Sequence, residues 1–238
     1  MNRILNYLAS AALLLSPLAA HSADLAVKAP TAPVATIYNW TGLYVGVNGG
    51  WGWGQQDPFN LLSSRFDRDS FNIRGGLVGG TFGAQIQQGA IVIGFETDLD
   101  WADITGNRVT IPAVAGQPIP GVFNFNTKIE ALGTARARAG LALNNWLIYA
   151  TGGAAFVKET ANGTTISGVA CGTLGIIPSC AESHWRPGLA VGAGTEWAFA
   201  SNWTAKAEYL YVATVGTGAS TDHINVVRAG INYKFGGL

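Results

Sequence analysis

Three groups of residues in this chain are of types that can do chemistry. The first is His184, preceded by Glu182 and Ser183, together with His223, preceded by Asp222. A nucleophilic triad needs a hydroxyl, an imidazole and an orienting acid in mutual hydrogen-bond contact. Sequence neighbours rarely face one another in that way, and the chain contains no Gly-x-Ser-x-Gly turn. Both sets therefore read as polar residues of an aqueous rim, and no enzymatic activity is expected. The second group is Cys171 and Cys180. Two Cys with no nearby His cluster lack the donor set of a zinc site. In an exported chain they are expected to form a disulfide that staples a long loop. No metal or cofactor is expected. The Gly-rich runs "GVNGGWGWG" (46–54) and "GGLVGG" (75–80) lack the Lys-Ser/Thr and following helix of a phosphate loop.

The third group is the largest. Glu96, Asp98, Asp100, Glu130, Glu196 and Glu208 are matched by Lys128, Arg136, Arg138, Lys206, Arg228 and Lys234. Many stand at every second position, as in "ETDLD", "RAR" and "KAE". Only a β-strand puts residues i, i+2 and i+4 on one face. On the opposite face of the same segments stand Leu, Val, Ile, Phe, Tyr and Trp.

Eight such segments are expected: 43–53, 74–87, 91–101, 127–142, 146–157, 185–199, 203–211 and one over 227–235. The connections alternate in length: 54–73 long, 88–90 short, 102–126 long, 143–145 short, 158–184 long, 200–202 short and 213–223 intermediate. An even number of strands with tight turns at one end and long loops at the other is the pattern of an up-and-down transmembrane barrel. Lipid offers no partners to backbone groups, so a sheet that crosses it must close on itself. The expected fold is thus an all-β, eight-stranded antiparallel barrel over 39–238.

Composition agrees. Hydrophobic residues make up 48% and charged ones 12%, against about 25% charged in ordinary domains. The apolar face would look at lipid and the twelve charges at the lumen, where Gly leaves room for them to pair. Such an interior is expected to be cross-linked, with no continuous water path; a narrow ion pathway lined by the same charges is the alternative. Net charge is +0, which gives no sign of a nucleic-acid partner.

The start of the chain, "MNRILNYLASAALLLSPLAAHSAD", has a basic end, a short apolar core and small residues, and reads as a secretory signal peptide over 1–23. Residues 24–38, rich in Ala and Pro, are expected to be an extended leader. Trp positions give the membrane its edges. Trp40, Trp146, Trp197 and Trp203 lie beside short turns; Trp51, Trp53, Trp101 and Trp185 lie beside long loops. These are expected to form two interfacial girdles. From Trp185 to Trp197 is 12 residues, roughly 40 Å of strand, or about 28 Å when tilted by ~45°. The dipeptide Asn-Trp recurs at 39–40, 145–146 and 202–203, where a turn residue would lead the chain back into the bilayer.

With "NWTGLYVGVNGGWGWG", "GGLVGGTFGAQIQ", "IVIGFETDLDWADI", "LGTARARAGLAL", "NWLIYATGGAAFV", "AVGAGTEWAF", "NWTAKAEYLYV" and "VVRAGINYKF" in this order, the chain resembles the small outer-membrane β-barrel family of alphaproteobacteria. These RopB-like major surface proteins are often labelled "porin family", and are similar in shape to the OmpA transmembrane domain. The resemblance implies an abundant, surface-exposed protein of the Gram-negative outer membrane that contributes to its integrity, with the N-terminus and short turns periplasmic. It carries over no active-site residue. It also implies partners in outer-membrane lipid and lipopolysaccharide, and in the barrel-assembly machinery, with homo-oligomers left open. Loop-mediated binding, to a host or to haem, is a further alternative. Barrels of this kind usually end on Phe, whereas this chain continues Phe235-Gly236-Gly237-Leu238, with no periplasmic domain expected beyond.

Overall fold

Alternation of small or charged residues with large apolar ones resolves into ten strands in the computed structural model, which describes residues 38–56, 71–110, 113–114, 117–118, 123–165, 181–214 and 223–235. They are β1 (Gly42–Gln56), β2 (Phe71–Gln88), β3 (Ile91–Thr110), β4 (Ala113–Val114), β5 (Gln117–Pro118), β6 (Phe123–Leu143), β7 (Trp146–Thr165), β8 (Ala181–Ala198), β9 (Trp203–Thr214) and β10 (His223–Lys234). Eight close into an antiparallel barrel in the order β1-β10-β9-β8-β7-β6-β3-β2, while β4 and β5 form a separate hairpin. The first strand pairs with the last, from Tyr44↔Lys234 to Gln55↔His223, so the barrel has no open edge.

Several strands run further than the alternation predicts. β3 continues from Trp101 to Thr110, β6 begins at Phe123, β7 reaches Thr165 and β8 begins at Ala181. The expected loops 102–126 and 158–184 are therefore partly strand. Beyond the girdle the wall no longer faces lipid, so the apolar-polar contrast fades although the hydrogen-bond ladder continues.

Two tight turns have the backbone their residues allow. Gly89 (φ 62°) joins β2 to β3, and Asn144 (φ 55°) joins β6 to β7; both are in the left-handed region that Gly and Asn tolerate. The three Asn-Trp dipeptides have three separate roles. Asn145 follows the left-handed residue and its carbonyl accepts from the Ala198 amide at 2.8 Å. The Asn202 side chain donates to the Lys234 carbonyl at 2.7 Å and so ties the β8–β9 turn to the end of β10. Asn39 accepts from the Thr41 amide at 2.9 Å in a local turn ahead of β1.

The outward face is a band of Val45, Val47, Phe82, Ile93, Phe95, Ile148, Phe156, Leu189, Val191 and Ile231, all exposed. At its periplasmic edge Trp146 stacks on Trp197 (centroids 5.9 Å) and Trp203 meets Tyr233 edge-on at 5.1 Å. Trp51, Trp53, Trp101 and Trp185 are exposed at the other edge. Seven of the eight tryptophans thus sit in the two girdles. Trp40 does not: it is fully buried, packed edge-on against Tyr38 at 4.7 Å inside the barrel mouth. It precedes β1, so strand parity does not govern it, and the mouth offers it a dry pocket. Tyr38, expected as the end of an unpacked leader, is drawn in with it.

One irregularity matters for the site. The register shifts between Trp101 and Ile104 on one side of β6, and between Ile129 and Ala131 on the other. A β-bulge at Glu130 reverses the parity of β6. On its far side Thr127 and Ile129 point inward, and Lys128 and Glu130 point out.

Candidate functional site

The lumen is where the sequence concentrates its charge. Of the twelve residues expected there, ten are buried within it: Glu96, Asp98 and Asp100 from β3, Arg136 and Arg138 from β6, Glu196 from β8, Lys206 and Glu208 from β9, Arg228 and Lys234 from β10. Lys128 and Glu130 are not. The bulge turns them to the outer surface, where Lys128 pairs with Asp103 at 2.9 Å and Glu130 with Lys158 at 2.9 Å. The inward set remains balanced, five acids against five bases.

The network has two guanidinium hubs. Arg136 reaches Glu96 at 2.7 Å, Asp98 at 2.9 Å and Glu208 at 3.0 Å. Arg228 reaches Glu208 at 2.6 Å, Asp98 at 2.7 Å and Asp100 at 3.0 Å. The Lys206 ammonium lies 3.0 Å from Glu96. Hydroxyls and amides fill further acceptor positions: Tyr44 donates to Glu96 at 2.9 Å, Thr134 to Asp98, Thr204 to Glu196, and Asn232 to Glu196 at 2.8 Å. A buried charge persists only when it is paired and hydrogen-bonded, and each carboxylate here has at least one cation or donor within bonding distance.

Closer to the periplasm Arg138 lies 4.0 Å above the Tyr149 ring and 5.6 Å from that of Tyr44, and bonds Glu196 at 2.7 Å. Both tyrosines lean over glycines. A Cβ on Gly83 would stand 2.2 Å from the Tyr44 ring, and one on Gly194 2.6 Å from the Tyr149 hydroxyl. Below this level Tyr38 and Trp40 fill the mouth. The Trp40 amide donates to Gln87 at 2.8 Å, and the Lys234 ammonium donates to the Asn39 carbonyl and lies 4.2 Å from the Tyr38 ring.

Towards the outside the filling changes to hydrocarbon. Ile73, Leu77, Ala102, Ile104, Ile129, Leu132, Ala155, Val157, Leu210, Val212, Ile224 and Val226 form one buried cluster inside the barrel. This layer was not expected. Alternation places the apolar face of each strand on lipid and the charged face in the lumen, yet Leu77 with Val78 and Val226 with Val227 are adjacent apolar pairs with one member on each face. Such doublets, and the three-residue spacing of Ile129 and Leu132 that signals the bulge, were the available clues.

Above the apolar layer Arg186 contacts Glu159 at 3.0 Å and donates to His184 Nε2 at 3.0 Å. His223 lies on the outer surface, stacked on Tyr211 with its Nδ1 2.6 Å from the hydroxyl. The two histidines face opposite sides of the wall, so they do not share a site. Asp222, Cys171 and Cys180, the segment 1–37 and residues 236–238 lie outside the described residues, as does the side chain of Glu182. Among the described residues no group of three His, Cys, Asp or Glu side chains is arranged to hold a metal ion.

The family model for the outer membrane protein β-barrel domain matches residues 10–235. The chain is similar to the 31 kDa outer-membrane immunogenic protein of Brucella melitensis, 33% identical over 91% of this chain and 93% of that one. It is also similar to the 22 kDa outer membrane protein of Rhizobium leguminosarum, 27% identical over 87% of this chain and 83% of the relative. Among solved structures, Neisserial surface protein A covers 82% of this chain and 98% of its own at a TM-score of 0.45 and 13% identity. A family match over nearly the whole sequence, a relative one-third identical end to end and a closed barrel with a lipid-facing exterior converge: this chain belongs to the outer membrane protein β-barrel family and is a protein of the outer membrane.

Proposed function

We propose that this barrel is a structural, surface-exposed component of the outer membrane that contributes to its integrity and does not conduct ions. The observation that carries this is the double closure of the lumen. Ion conduction needs a continuous path of water, and two successive barriers oppose it here. The first is a layer of ion pairs whose members are all nearly inaccessible; the second is a layer of packed aliphatic side chains. An eight-stranded barrel has only enough interior for its own side chains. The Brucella relative is named immunogenic, which supports exposure of the longer connections at the cell surface. We further infer that lipopolysaccharide surrounds the outer half of the barrel and that the barrel-assembly machinery inserts it. No catalytic role is inferred, since the candidate histidines lie on different faces of the wall.

The test is a planar-bilayer recording on refolded protein, after folded and boiled samples have been shown to migrate differently on a gel. Electrical silence is expected. A steady, reproducible open level that shifts in Arg136→Gln would overturn the closed-barrel reading in favour of a narrow channel. In cells, loss of the protein is expected to raise sensitivity to detergents, and re-expression to restore resistance.

A further inference from the structure

On one side of the barrel the outer aromatic girdle is interrupted by a cation. Trp101, Ala131, Lys158 and Trp185 are register partners across β3, β6, β7 and β8, and so form a single row around the lipid-facing wall. Strands about 4.8 Å apart put roughly 14 Å between the two tryptophan-bearing strands. Ala131 provides a low floor between them. With Leu99, Glu130 and the two indoles, this row lines a groove of about 350 Å³ on the outer surface.

The head of the groove is charged although the wall below it is apolar. Lys158 is held 2.9 Å from Glu130, and Lys128, displaced further outward, is held 2.9 Å from Asp103; all four side chains are partly or largely exposed. Two of the four are there because of the bulge, since unbroken alternation would have turned Lys128 and Glu130 into the lumen. Bulges commonly re-aim a side chain for use. An ammonium has three donors, and among the described residues each lysine engages one carboxylate, which fixes its position and leaves donors for a further acceptor. Their depth is set by the row itself. Trp marks the boundary between acyl chains and headgroups, so Lys158 lies at that boundary and Lys128 within the headgroup layer.

The geometry points to a binding site for one lipopolysaccharide molecule of the outer leaflet. We propose that Lys158 and Lys128 bind a phosphate of its lipid A, while an acyl chain lies in the groove over Ala131 between Trp101 and Trp185. This rests on the reading of the chain as a surface-facing barrel of the outer membrane, and assigns that reading a specific lipid contact.

The experiment is native mass spectrometry of the full, folded chain in detergent, titrated with lipid A. Wild type is expected to retain one lipid A per chain. Lys128→Gln/Lys158→Gln, with the heat-shifted gel band intact, is expected to lose about 10- to 30-fold in affinity. Ala131→Trp, which fills the floor, is expected to weaken binding without touching the lysines. Lipid A stripped of its phosphates is expected to bind as weakly as the double variant, and inorganic phosphate not to compete. Equal retention by wild type and double variant would overturn the proposal. So would competition by inorganic phosphate, or chain–chain association that Ala131→Trp abolishes while lipid A retention is unchanged. A barrel that conducts but binds lipid A through these lysines would sink the closed-barrel reading and leave this inference standing.

Discussion

Towards the periplasm from Asp100 the lumen is filled mainly by ion pairs; from Ala102 outward an aliphatic layer follows, below the Arg186–Glu159 pair. The change occurs within two residues on each of four strands, at Asp100/Ala102, Thr134/Leu132, Glu208/Leu210 and Arg228/Val226. Both layers exclude water, but they respond differently to damage. An ionic layer depends on particular partners, because a buried charge left alone costs several kcal/mol. An aliphatic layer depends on volume, and its neighbours can relax part of the way into a gap. The inner half is therefore specific, and the outer half adaptable.

The largest expected effect comes from breaking the specific half at a hub. Arg228→Met removes the cation shared by Asp98, Asp100 and Glu208, and should lower unfolding stability by about 5 kcal/mol, the upper part of the range for such deletions. Urea unfolding in detergent, followed by tryptophan emission, would measure it. Leu210→Ala should cost about 3 kcal/mol in the same assay, with the protein still silent in a planar bilayer. If the two variants lose the same amount, the contrast between the layers fails. A sharper version pairs Arg228→Met with Asp100→Asn. Arg228 is the cation that contacts Asp100, whereas Asp98 and Glu208 keep Arg136, so neutralising Asp100 should restore about 1–2 kcal/mol. No recovery would mean that the hub acts by packing rather than by charge. At the other extreme Asp103→Asn, which removes an exposed partner of Lys128 on the outer surface, should leave the unfolding curve unmoved.

Much of this arrangement was legible in the chain because strand parity is a strict code. Once the alternation in 91–101 and 203–211 is seen, the inward direction of Glu96, Asp98, Asp100, Lys206 and Glu208 follows without further information. The code fails where the backbone adds a residue. Glu130 opens a bulge, and every position of β6 beyond it changes side, so Lys128 was assigned to the wrong face. It fails again at Trp40, which precedes the first strand and is placed by the barrel mouth. The aliphatic layer was hidden for another reason: where both faces of a strand are apolar there is no alternation to read, and only closure of the barrel decides which Val or Leu faces lipid.

The distribution of lumen charge along the chain bears on how an incomplete copy would behave. Strands β3, β6, β7 and β8 contribute five carboxylates to the lumen and the guanidiniums of Arg136, Arg138 and Arg186, while β9 and β10 contribute three cations and a single carboxylate. Among the described residues, the developing interior holds an excess of negative charge until the last hairpin arrives. Arg228 crosses from the final strand to reach Asp98 and Asp100 on β3, so electroneutrality is reached only at the moment of ring closure. A chain cut short before residue 203 would be left with a cavity that repels itself, and the molecule thus carries its own check on completeness.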